Sequence, residues 1–513
     1  MAVPRARAAT VSWLARLSGA SVVSGNPGAV TAVSYDSRRV APGALFVAVP
    51  GFDTDGHRYL REAVDRGATA LLVQADRRPL WEPFLAGADL AIVSVPDTRR
   101  ALAQAAAAFY DDPGQKLGVI GVTGTDGKTT TVHLIAHVLE SAGRPAGYLS
   151  SAAFKTNGEP ETNASHMTTL EAPDVQGHLA AMVEARLRYA VVEASSHGLA
   201  LHRVDECAFD VAVFTTLSSD HLDFHGTLAE YREAKGRLFR MLDESTAKDV
   251  PKAAVLNADD PASAYFRSLT RTPIVTYGLE RPAAVRAESV EAQGLTSRFR
   301  LATPSGAADV SAPLAGRFNV YNCLATAAVG LSQGLSPDEI VRGLESFPGV
   351  PGHLQLIEAG QPFRVVVDIA STPGALRTVL EVLRPVTEGR LWAVFGCAGE
   401  RDPGRRDGMG RVAGELAGFT VLTNEDPRRE DPDAIIEQIA AGLREAGRCE
   451  GDDFVRVPDR REALRYAFER ARPGDTVLLA GKGTEQSIVI GTEHLPWDEA
   501  QVARELLEEL RDG

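Results

Sequence analysis

The residues with the clearest chemical capacity form a glycine-rich loop, Gly124-Thr125-Asp126-Gly127-Lys128-Thr129-Thr130. An apolar run at 117–122 precedes the loop. Apolar residues at the i, i+3, i+4, i+7 spacing of one helix face follow it at 132–139. In such a strand–loop–helix unit, glycines let backbone N–H groups approach phosphate oxygens, and the helix N-terminus adds partial positive charge. Lys128 can reach the β- and γ-phosphates of ATP, and Thr129 or Thr130 can offer a hydroxyl to Mg²⁺.

The loop is a variant of the usual phosphate-binding pattern. The strict form G-x-x-x-x-G-K-[ST] requires glycine where Val122 stands. A glycine-rich turn with a solvated lysine is the simpler structural alternative. Because strand, loop, Lys-Thr-Thr and helix occur in register, the sequence favours nucleotide binding. The loop alone would fit motor ATPases, GTPases, kinases and ligases.

Two further polar segments follow strand-like runs. They are Glu193-Ala-Ser-Ser-His197 and Thr216-Leu-Ser-Ser-Asp-His221-Leu-Asp-Phe-His225. Open α/β sheets bind ligands at the carboxyl ends of their strands, so we expect both segments near the ATP phosphates. Oxygen ligands with one imidazole suit Mg²⁺, whereas a polar-capped loop or a zinc site at the histidines are alternatives. Lys235, on a helix downstream, would by itself be interpreted as a solvated residue.

These groups require alternating strands and helices to position them, and the chain has such a pattern throughout. At roughly 150 residues per domain, 513 residues suggest about three domains. Boundaries fit Asp111-Asp-Pro-Gly114 and Phe347-Pro-Gly-Val-Pro-Gly352, which predicts domains at 1–112, 113–348 and 349–513. Beyond the second boundary, strands alternate with amphipathic helices. That rhythm predicts an α/β fold with an open, mainly parallel sheet.

Composition restricts the classes of partner. The chain has 54 Lys+Arg against 68 Asp+Glu, a net charge of −14, which argues against broad binding to nucleic acid or anionic membranes. An anionic substrate must therefore be held by local positive charge, backbone amides or metal. Four isolated cysteines indicate a reducing compartment. No apolar run reaches the roughly 18 residues of a membrane span, and the basic start at 1–7 has no apolar segment after it, so we expect a cytoplasmic protein.

A set of short motifs recurs in order along nearly the whole chain. Besides the segments above, they are Asp36-Ser-Arg38, Thr168-Thr169, Tyr231…Lys235, Gly316-Arg-Phe-Asn-Val-Tyr-Asn322, Phe395-Gly-Cys-Ala-Gly-Glu-Arg-Asp402, Glu425-Asp-Pro-Arg428 and Gly481-Lys-Gly-Thr-Glu485. In type and order they resemble the Mur ligases of peptidoglycan synthesis, specifically the MurE type. The resemblance implies an N-terminal domain that binds the UDP substrate, a central P-loop ATPase-like domain and a C-terminal Rossmann-like domain that binds the amino acid. We also expect a monomer.

The activity implied is ATP-dependent amide ligation. A diamino acid would be added to UDP-N-acetylmuramoyl-L-alanyl-D-glutamate (UDP-MurNAc-L-Ala-D-Glu) through an acyl phosphate. The implied Mg²⁺ ligands are Thr129, Glu193, His221 and, as a carbamylated residue, Lys235, with Lys128 on the phosphates and Asn319 on the adenine. Positions matching UDP-substrate contacts are Ser37, Thr168, Thr169, Ser195 and Arg203. Positions matching the amino-acid pocket are Arg406, Glu425, Asp426, Pro427, Arg428, Gly481 and Glu485.

The chain departs from the MurE pattern mainly in its last third. Asp368-Ile-Ala-Ser-Thr-Pro373 stands for Asp-Tyr-Ala-His-Thr-Pro, Thr484 for histidine, and Thr216 and Leu201 for polar residues. Glu425-Asp-Pro-Arg428 stands for Asp-Asn-Pro-Arg. Two acidic groups make that pocket more negative, which favours lysine or ornithine over meso-diaminopimelate, although Arg428 would favour the latter's distal carboxylate.

Two other interpretations remain at this point. The departures at Ile369, Ser371 and Thr484 would also suit a non-catalytic paralogue that binds nucleotide and UDP-sugar. The second is a related amide ligase, such as one for folylpolyglutamate or cyanophycin synthesis. The Asp36-Ser-Arg38 motif disfavours it, because such an enzyme would not need an N-terminal domain that binds UDP.

Overall fold

The computed structural model describes residues 13–26, 28–51, 54–86, 90–165, 167–218 and 220–512, apart from the side chains at 223 and 512. The basic start of the chain lies outside these residues. The strands are β1 Ser21–Ser24, β2 Val33–Ser34, β3 Leu45–Val47, β4 Ala70–Gln74, β5 Ala91–Val95, β6 Gly118–Thr123, β7 Ala146–Leu149, β8 Ala153–Lys155, β9 Glu161–Thr162, β10 Tyr189–Glu193, β11 Val211–Phe214, β12 Ala253–Asn257, β13 Ile274–Gly278, β14 Val285–Gln293, β15 Thr296–Thr303, β16 Gly306–Ala312, β17 Gln355–Ile357, β18 Arg364–Asp368, β19 Leu391–Phe395, β20 Phe419–Leu422, β21 Phe454–Arg456, β22 Thr476–Ala480, β23 Ser487–Ile490 and β24 Glu493–Pro496. The helices are α1 Leu60–Asp65, α2 Arg78–Trp81, α3 Thr98–Phe109, α4 Lys128–Ser141, α5 Ala172–Glu184, α6 Ser196–Ala200, α7 Leu222–His225, α8 Leu228–Glu244, α9 Ser263–Arg267, α10 Arg317–Ser332, α11 Pro337–Glu345, α12 Pro373–Leu383, α13 Gly404–Leu416, α14 Pro432–Glu445, α15 Arg460–Arg470 and α16 Glu499–Asp512.

The first sheet has the order β1-β5-β4-β3-β2, with β1 antiparallel and the other pairs parallel. Its central strands are mainly apolar because both faces are covered, and each face has its own hydrophobic cluster. The alanine-rich helix α3 packs on one face, and the Asp97 carboxylate accepts from the backbone N–H groups of its first turn.

The second sheet places β6 between β10 and β11, with parallel pairing on both sides. All residues of β6, β10 and β11 are buried, which explains why these strands are mainly apolar up to Thr123 and Glu193 at the ends of β6 and β10. The carboxyl ends of these three strands lead into the loops at 124–127, 194–195 and 215–218. The sheet therefore brings the predicted phosphate and metal segments to one edge, as expected from the sequence.

The third sheet has the order β17-β18-β22-β19-β20-β21, and all of its pairs except β17–β18 are parallel. A hydrophobic cluster lies on each face. The predicted open, mainly parallel sheet after residue 349 is thus confirmed. The loops after β20 and β22 carry residues 423–428 and 481–485.

The chain divides into two compact units. One comprises the residues up to Glu288 with Arg300–Asp309 and Tyr321–Leu344, and the other Ser289–Phe299, Val310–Val320 and the residues from Glu345. The domain limits 1–112, 113–348 and 349–513 stay a prediction. In the described part of the chain, no helix combines the length and apolar character needed to cross a membrane.

Candidate active site

The phosphate loop is the turn between β6 and α4. Gly124 and Gly127 have φ of 153° and 80°, a region that side chains with Cβ rarely adopt. A Cβ at Gly124 would also collide with the Thr215 side chain. The Lys128 Nζ donates to the Thr125 carbonyl at 2.7 Å, so the lysine folds back over its own loop.

The end of β11 holds this loop in shape. The Thr215 hydroxyl donates to the Asp126 carbonyl at 2.6 Å, and the Thr125 N–H donates to the Thr216 carbonyl at 2.7 Å. The Thr216 hydroxyl accepts from the Asp126 N–H at 3.4 Å. Thr216, one of the departures from the family pattern, therefore still supports the loop.

A carboxylate and a hydroxyl meet beside the loop. Glu193, at the end of β10, is buried, and its two carboxylate oxygens lie 3.2 and 3.1 Å from the Thr129 hydroxyl. The Ser151 N–H also donates to Glu193 at 2.9 Å, and the Ser151 hydroxyl lies 2.9 Å from that of Thr129. Sequence reasoning missed Ser151, although it follows β7 as the other polar segments follow their strands. Thr130, next to Thr129 on α4, is half-buried.

The histidines group by ring contacts. His221, with φ of 51°, precedes α7, and its Nε2 lies 3.3 Å from an Asp220 oxygen. Its half-exposed ring makes an edge contact with His197, which stacks on Phe224 at 4.2 Å. Among the described residues, no three His, Cys, Asp or Glu side chains are grouped closely enough to hold a metal.

Lys235, taken by itself, was interpreted from the sequence as a solvated residue, and this interpretation is wrong. Its side chain is 1% exposed, not solvated, because it lies on the apolar face of α8 with Tyr231 and Leu238. The Nζ donates to the Gly124 carbonyl at 2.7 Å and lies 4.2 Å from the centre of the Tyr231 ring. Burial, with the charge of Lys128 nearby, lowers the pKa of Lys235 well below its ordinary value.

The predicted UDP-substrate residues lie in two places. Ser37 is buried, lines a cavity of about 440 Å³ on the first sheet, and donates to Glu62 at 2.9 Å. The Thr169 hydroxyl donates to the Glu193 carbonyl at 2.8 Å and lies 3.0 Å from the Ser195 hydroxyl, which caps α6. The guanidinium of Arg203 donates to the Thr169 carbonyl at 3.1 Å. Thr168, beside Thr169, is half-buried.

Asn319, the predicted adenine contact, lies near the start of α10. Its side chain is buried, and the Nδ2 donates to the Ala315 carbonyl at 2.8 Å. The amide thus helps to shape the turn that leads into α10.

The acidic residues of the predicted amino-acid pocket surround a lysine that sequence reasoning did not assign. Lys482 is fully buried, and its Nζ lies 2.8 Å from Asp426 and 2.5 Å from Glu485. The signal was present in the motif, since Lys482 adjoins Gly481 and stands three residues before Glu485 on one tight turn. Asp426 also accepts from the Val489 N–H at 2.9 Å.

Glu425 lies under the turn that contains Gly481. One of its buried oxygens has no hydrogen-bond partner among the described residues. Burial raises the pKa of Glu425 to about 7, although the nearby charges of Arg460 and Lys482 oppose the rise. The extra acidic groups noted in the sequence therefore add little free negative charge to the pocket.

The two arginines of the predicted amino-acid pocket, Arg406 and Arg428, differ in whether their guanidinium groups already have partners. Arg406 is buried, and its guanidinium already pairs with Glu430 at 2.9 Å and Gln438 at 2.9 Å. Arg428 is half-buried, with φ of 53°, and its guanidinium makes no hydrogen bond or ion pair within the described part of the chain. Its backbone is fixed, because its N–H donates to the Val489 carbonyl at 2.9 Å. Pro427, between these groups, is buried.

Comparison with known proteins places the chain in one family. The models for the Mur ligase family catalytic domain, the Mur ligase middle domain and the Mur ligase glutamate ligase domain match residues 29–110, 122–330 and 352–483. The chain is 47% identical to a UDP-N-acetylmuramyl-tripeptide synthetase of Roseiflexus sp. (strain RS-1), over 94% of this chain and 96% of that protein. It is 42% identical to a UDP-N-acetylmuramoyl-L-alanyl-D-glutamate–2,6-diaminopimelate ligase of Geobacillus kaustophilus (strain HTA426), over 94% and 96%.

A solved structure agrees with these relatives. The structure of a UDP-N-acetylmuramoyl-L-alanyl-D-glutamate–2,6-diaminopimelate ligase matches with a TM-score of 0.65 at 31% identity, over 94% of this chain and 96% of that one. The predicted family and its three-domain α/β architecture are thereby confirmed. The chain belongs to the Mur ligase family, and within that family to the MurE type.

Proposed function

We propose that the chain is an ATP-dependent ligase that adds a diamino acid to UDP-MurNAc-L-Ala-D-Glu in peptidoglycan precursor synthesis. The observation that carries this function is the convergence of the phosphate loop, Glu193 and Lys235 at one edge of the second sheet. The family relationship and the close identity to named ligases over nearly the whole chain support the same activity.

The reaction needs activation because a carboxylate is a poor electrophile. The γ-phosphoryl group of ATP passes to the D-glutamyl carboxylate, which gives an acyl phosphate and ADP. The amine of the diamino acid then attacks the acyl carbon, an amide bond forms, and inorganic phosphate leaves with loss of a proton from the amine. Two anions must approach one another, so Lys128 and the loop amides contribute by stabilising the phosphate charge.

The residues around Thr129 suit a Mg²⁺ ion. The Thr129 hydroxyl and Glu193 carboxylate supply closely spaced oxygens, the ligand type that this ion prefers. His221, which directly precedes α7 and is half-exposed, can supply an imidazole. When bound, Mg²⁺ would neutralise charge on the ATP phosphates.

Lys235 is suited to carbamylation. Its amine is buried, pairs with no carboxylate among the described residues, and is therefore favoured in its neutral form. A neutral amine can attack CO₂, form an N–C bond and release one proton. The resulting carbamate is carboxylate-like and would join Thr129, Glu193 and His221 in holding the metal.

The other substrate contacts follow from the placement of the matching residues. Ser37, in its cavity, would contact the UDP end of the substrate, and Thr168, Thr169, Ser195 and Arg203 its muramoyl-peptide part. Asn319 would contact adenine through the turn that it shapes.

For the incoming amino acid, we infer meso-diaminopimelate. The preference for lysine or ornithine depended on two uncompensated acidic groups, Glu425 and Asp426. Lys482 pairs with Asp426, and burial raises the pKa of Glu425 to about 7, which reduces its negative charge. Arg428 has a guanidinium free of partners among the described residues and can pair with the distal carboxylate. Glu485 would exchange part of its contact with Lys482 for a substrate ammonium. Arg406 would first have to release Glu430.

Turnover assays test both conclusions. The protein is incubated with ATP, Mg²⁺, UDP-MurNAc-L-Ala-D-Glu and either meso-diaminopimelate, L-lysine or L-ornithine, and phosphate release and product mass are followed. We expect product with diaminopimelate at the highest kcat/KM. Substrate binding without turnover across the panel would favour the non-catalytic paralogue, and a preference for lysine or ornithine would contradict the assignment of Arg428.

A further inference from the structure

Arg99, which no motif singled out, lies in the first turn of α3 and lines the same 440 Å³ cavity as Ser37. Its side chain is 17% exposed. One terminal nitrogen, Nη2, donates to the Pro50 carbonyl at 3.1 Å. The other, Nη1, is buried and has no hydrogen-bond partner among the described residues.

Two guanidinium groups share a single carboxylate at this wall of the cavity. Arg203 Nη2 lies 2.8 Å from Glu171, whereas Arg99 Nη1 is 3.8 Å from the same side chain, too far for a hydrogen bond. Asp97 also acts on Arg99, but it is exposed and its carboxylate caps α3. The Arg99–Glu171–Arg203 group therefore retains an excess positive charge in partly desolvated surroundings.

Burial, together with the charge of Arg203, lowers the pKa of Arg99. A guanidinium remains protonated under such conditions, so the group that is buried here is a charged one, and its desolvation costs free energy. An unpaired N–H donor on a buried cation is expensive unless a ligand satisfies it.

We propose that Arg99 binds the diphosphate of the UDP-linked substrate through Nη1. The inference depends on the proposed function, which supplies this substrate. In that substrate the diphosphate separates the uridine from the amino sugar. Arg99 correspondingly lines the cavity that contains Ser37 and shares Glu171 with Arg203, which donates to the Thr169 carbonyl. Arg99 is thus a further substrate-binding residue in a chain whose overall charge of −14 repels anions.

Binding measurements without turnover test this assignment. UDP and UDP-MurNAc-L-Ala-D-Glu are titrated calorimetrically, and uridine is titrated by ligand-observed NMR, against the full-length protein and its Arg99→Ala and Arg99→Lys variants. Arg100→Ala is the matched control, because Arg100 is the exposed neighbour on the same turn. Thermal unfolding of each variant checks that the fold is retained.

The expected result is specific to the phosphates. Arg99→Ala should weaken UDP and substrate binding at least about ten-fold, the scale of a lost charge-assisted hydrogen bond, and leave uridine binding unchanged. Arg99→Lys should recover part of the loss, and Arg100→Ala should behave like the parent protein. Equal losses for UDP and uridine, or unchanged UDP binding, would overturn the proposal. A parent protein that bound neither UDP nor the full substrate would instead overturn the proposed function.

Discussion

Two buried lysines, one in each compact unit, contrast in what surrounds them. Lys235 and Lys482 are 1% and 0% exposed. The Nζ of Lys235 meets a backbone carbonyl and an aromatic ring, whereas the Nζ of Lys482 meets two carboxylates at 2.8 and 2.5 Å. The residue type and the burial are the same, and only the counter-charge differs.

That difference teaches how the fold assigns chemistry to a lysine. Burial penalises a charged amine strongly unless an opposite charge lies within contact distance. Without a carboxylate, Lys235 is favoured as a neutral amine, which can act as a nucleophile towards CO₂. Lys482 instead makes ion pairs with two carboxylates, and it offsets their negative charge in the pocket.

The largest effect is expected at Lys235, which makes no direct ion pair with a carboxylate among the described residues. Lys235→Ala should reduce kcat by at least about 10²–10³-fold, since a group that stabilises the phosphoryl-transfer site is lost. A short-chain carboxylate should restore part of the activity by replacing the carbamate that we propose on Lys235. Arg240→Ala is a matched control, because Arg240 lies on the same helix and pairs with Glu233 at the surface. Full activity of Lys235→Ala would remove this residue from the mechanism.

At the paired lysine, the dominant effect should be on stability. Lys482→Met leaves two carboxylates without their cation and should lower the free energy of unfolding by about 3–5 kcal/mol, measured by denaturant titration. In the folded fraction, the ratio of kcat/KM for diaminopimelate over lysine should fall, because the pocket becomes more negative.

A double variant separates charge from packing in this region. Adding Asp426→Asn to Lys482→Met removes one of the stranded carboxylates, so part of the stability should return. The loss in free energy of unfolding of the double variant is compared with the summed losses of Lys482→Met and Asp426→Asn. If the double variant lost more than this sum, Lys482 would act by packing, and the comparison with Lys235 would fail.

A smaller effect is expected at Arg428, whose guanidinium makes no hydrogen bond or ion pair among the described residues. Arg428→Ala should raise KM for diaminopimelate by about 10- to 100-fold, the scale of one lost charge-assisted pair, with little change for lysine. The adjacent exposed Arg429→Ala is the control. Equal losses for both amino acids would show that Arg428 does not read the distal carboxylate.

A separate effect on stability is expected at Glu425, a buried acid with one oxygen that has no hydrogen-bond partner among the described residues. Its pKa is raised from 4.5 to about 7, so between these pH values the folded protein binds more protons than the unfolded chain. Stability should therefore fall as pH rises through this window, with a slope of up to about 1.4 kcal/mol per pH unit. Glu425→Gln should flatten this part of the pH–stability curve. An unchanged curve would show that Glu425 is ionised in the folded state.

The sequence predicted the local parts of both regions well. The phosphate loop, the strand ends that carry Glu193 and His221, and the parallel C-terminal sheet all follow from short-range spacing, and the structure has them. The burial of Lys235 was within reach, since Tyr231, Lys235 and Leu238 share a helix face with i, i+4, i+7 spacing. A lone lysine on a helix is nevertheless predicted to be solvent-exposed. Its burial becomes clear only from the fold, which brings the Gly124 carbonyl, 111 residues away, within hydrogen-bond distance of its amine.

Pairing between distant segments could not be predicted in the same way. The compensation of Asp426 by Lys482 joins residues 56 positions apart, and the sharing of Glu171 by Arg99 and Arg203 joins three segments. Because charge in a pocket depends on such partners, counting acidic residues in Glu425-Asp-Pro-Arg428 overstated its negative charge. The assignments of individual site residues to ligands and the monomeric state stay predictions.

The contrast between the two lysines is tested most directly by ¹³C NMR of the protein in ¹³C-labelled bicarbonate, recorded for the parent chain and the Lys235→Ala and Lys482→Met variants. The account predicts a carbamate resonance that persists in folded Lys482→Met and disappears in Lys235→Ala. A parent spectrum without that resonance, or a resonance lost only in Lys482→Met, would contradict it.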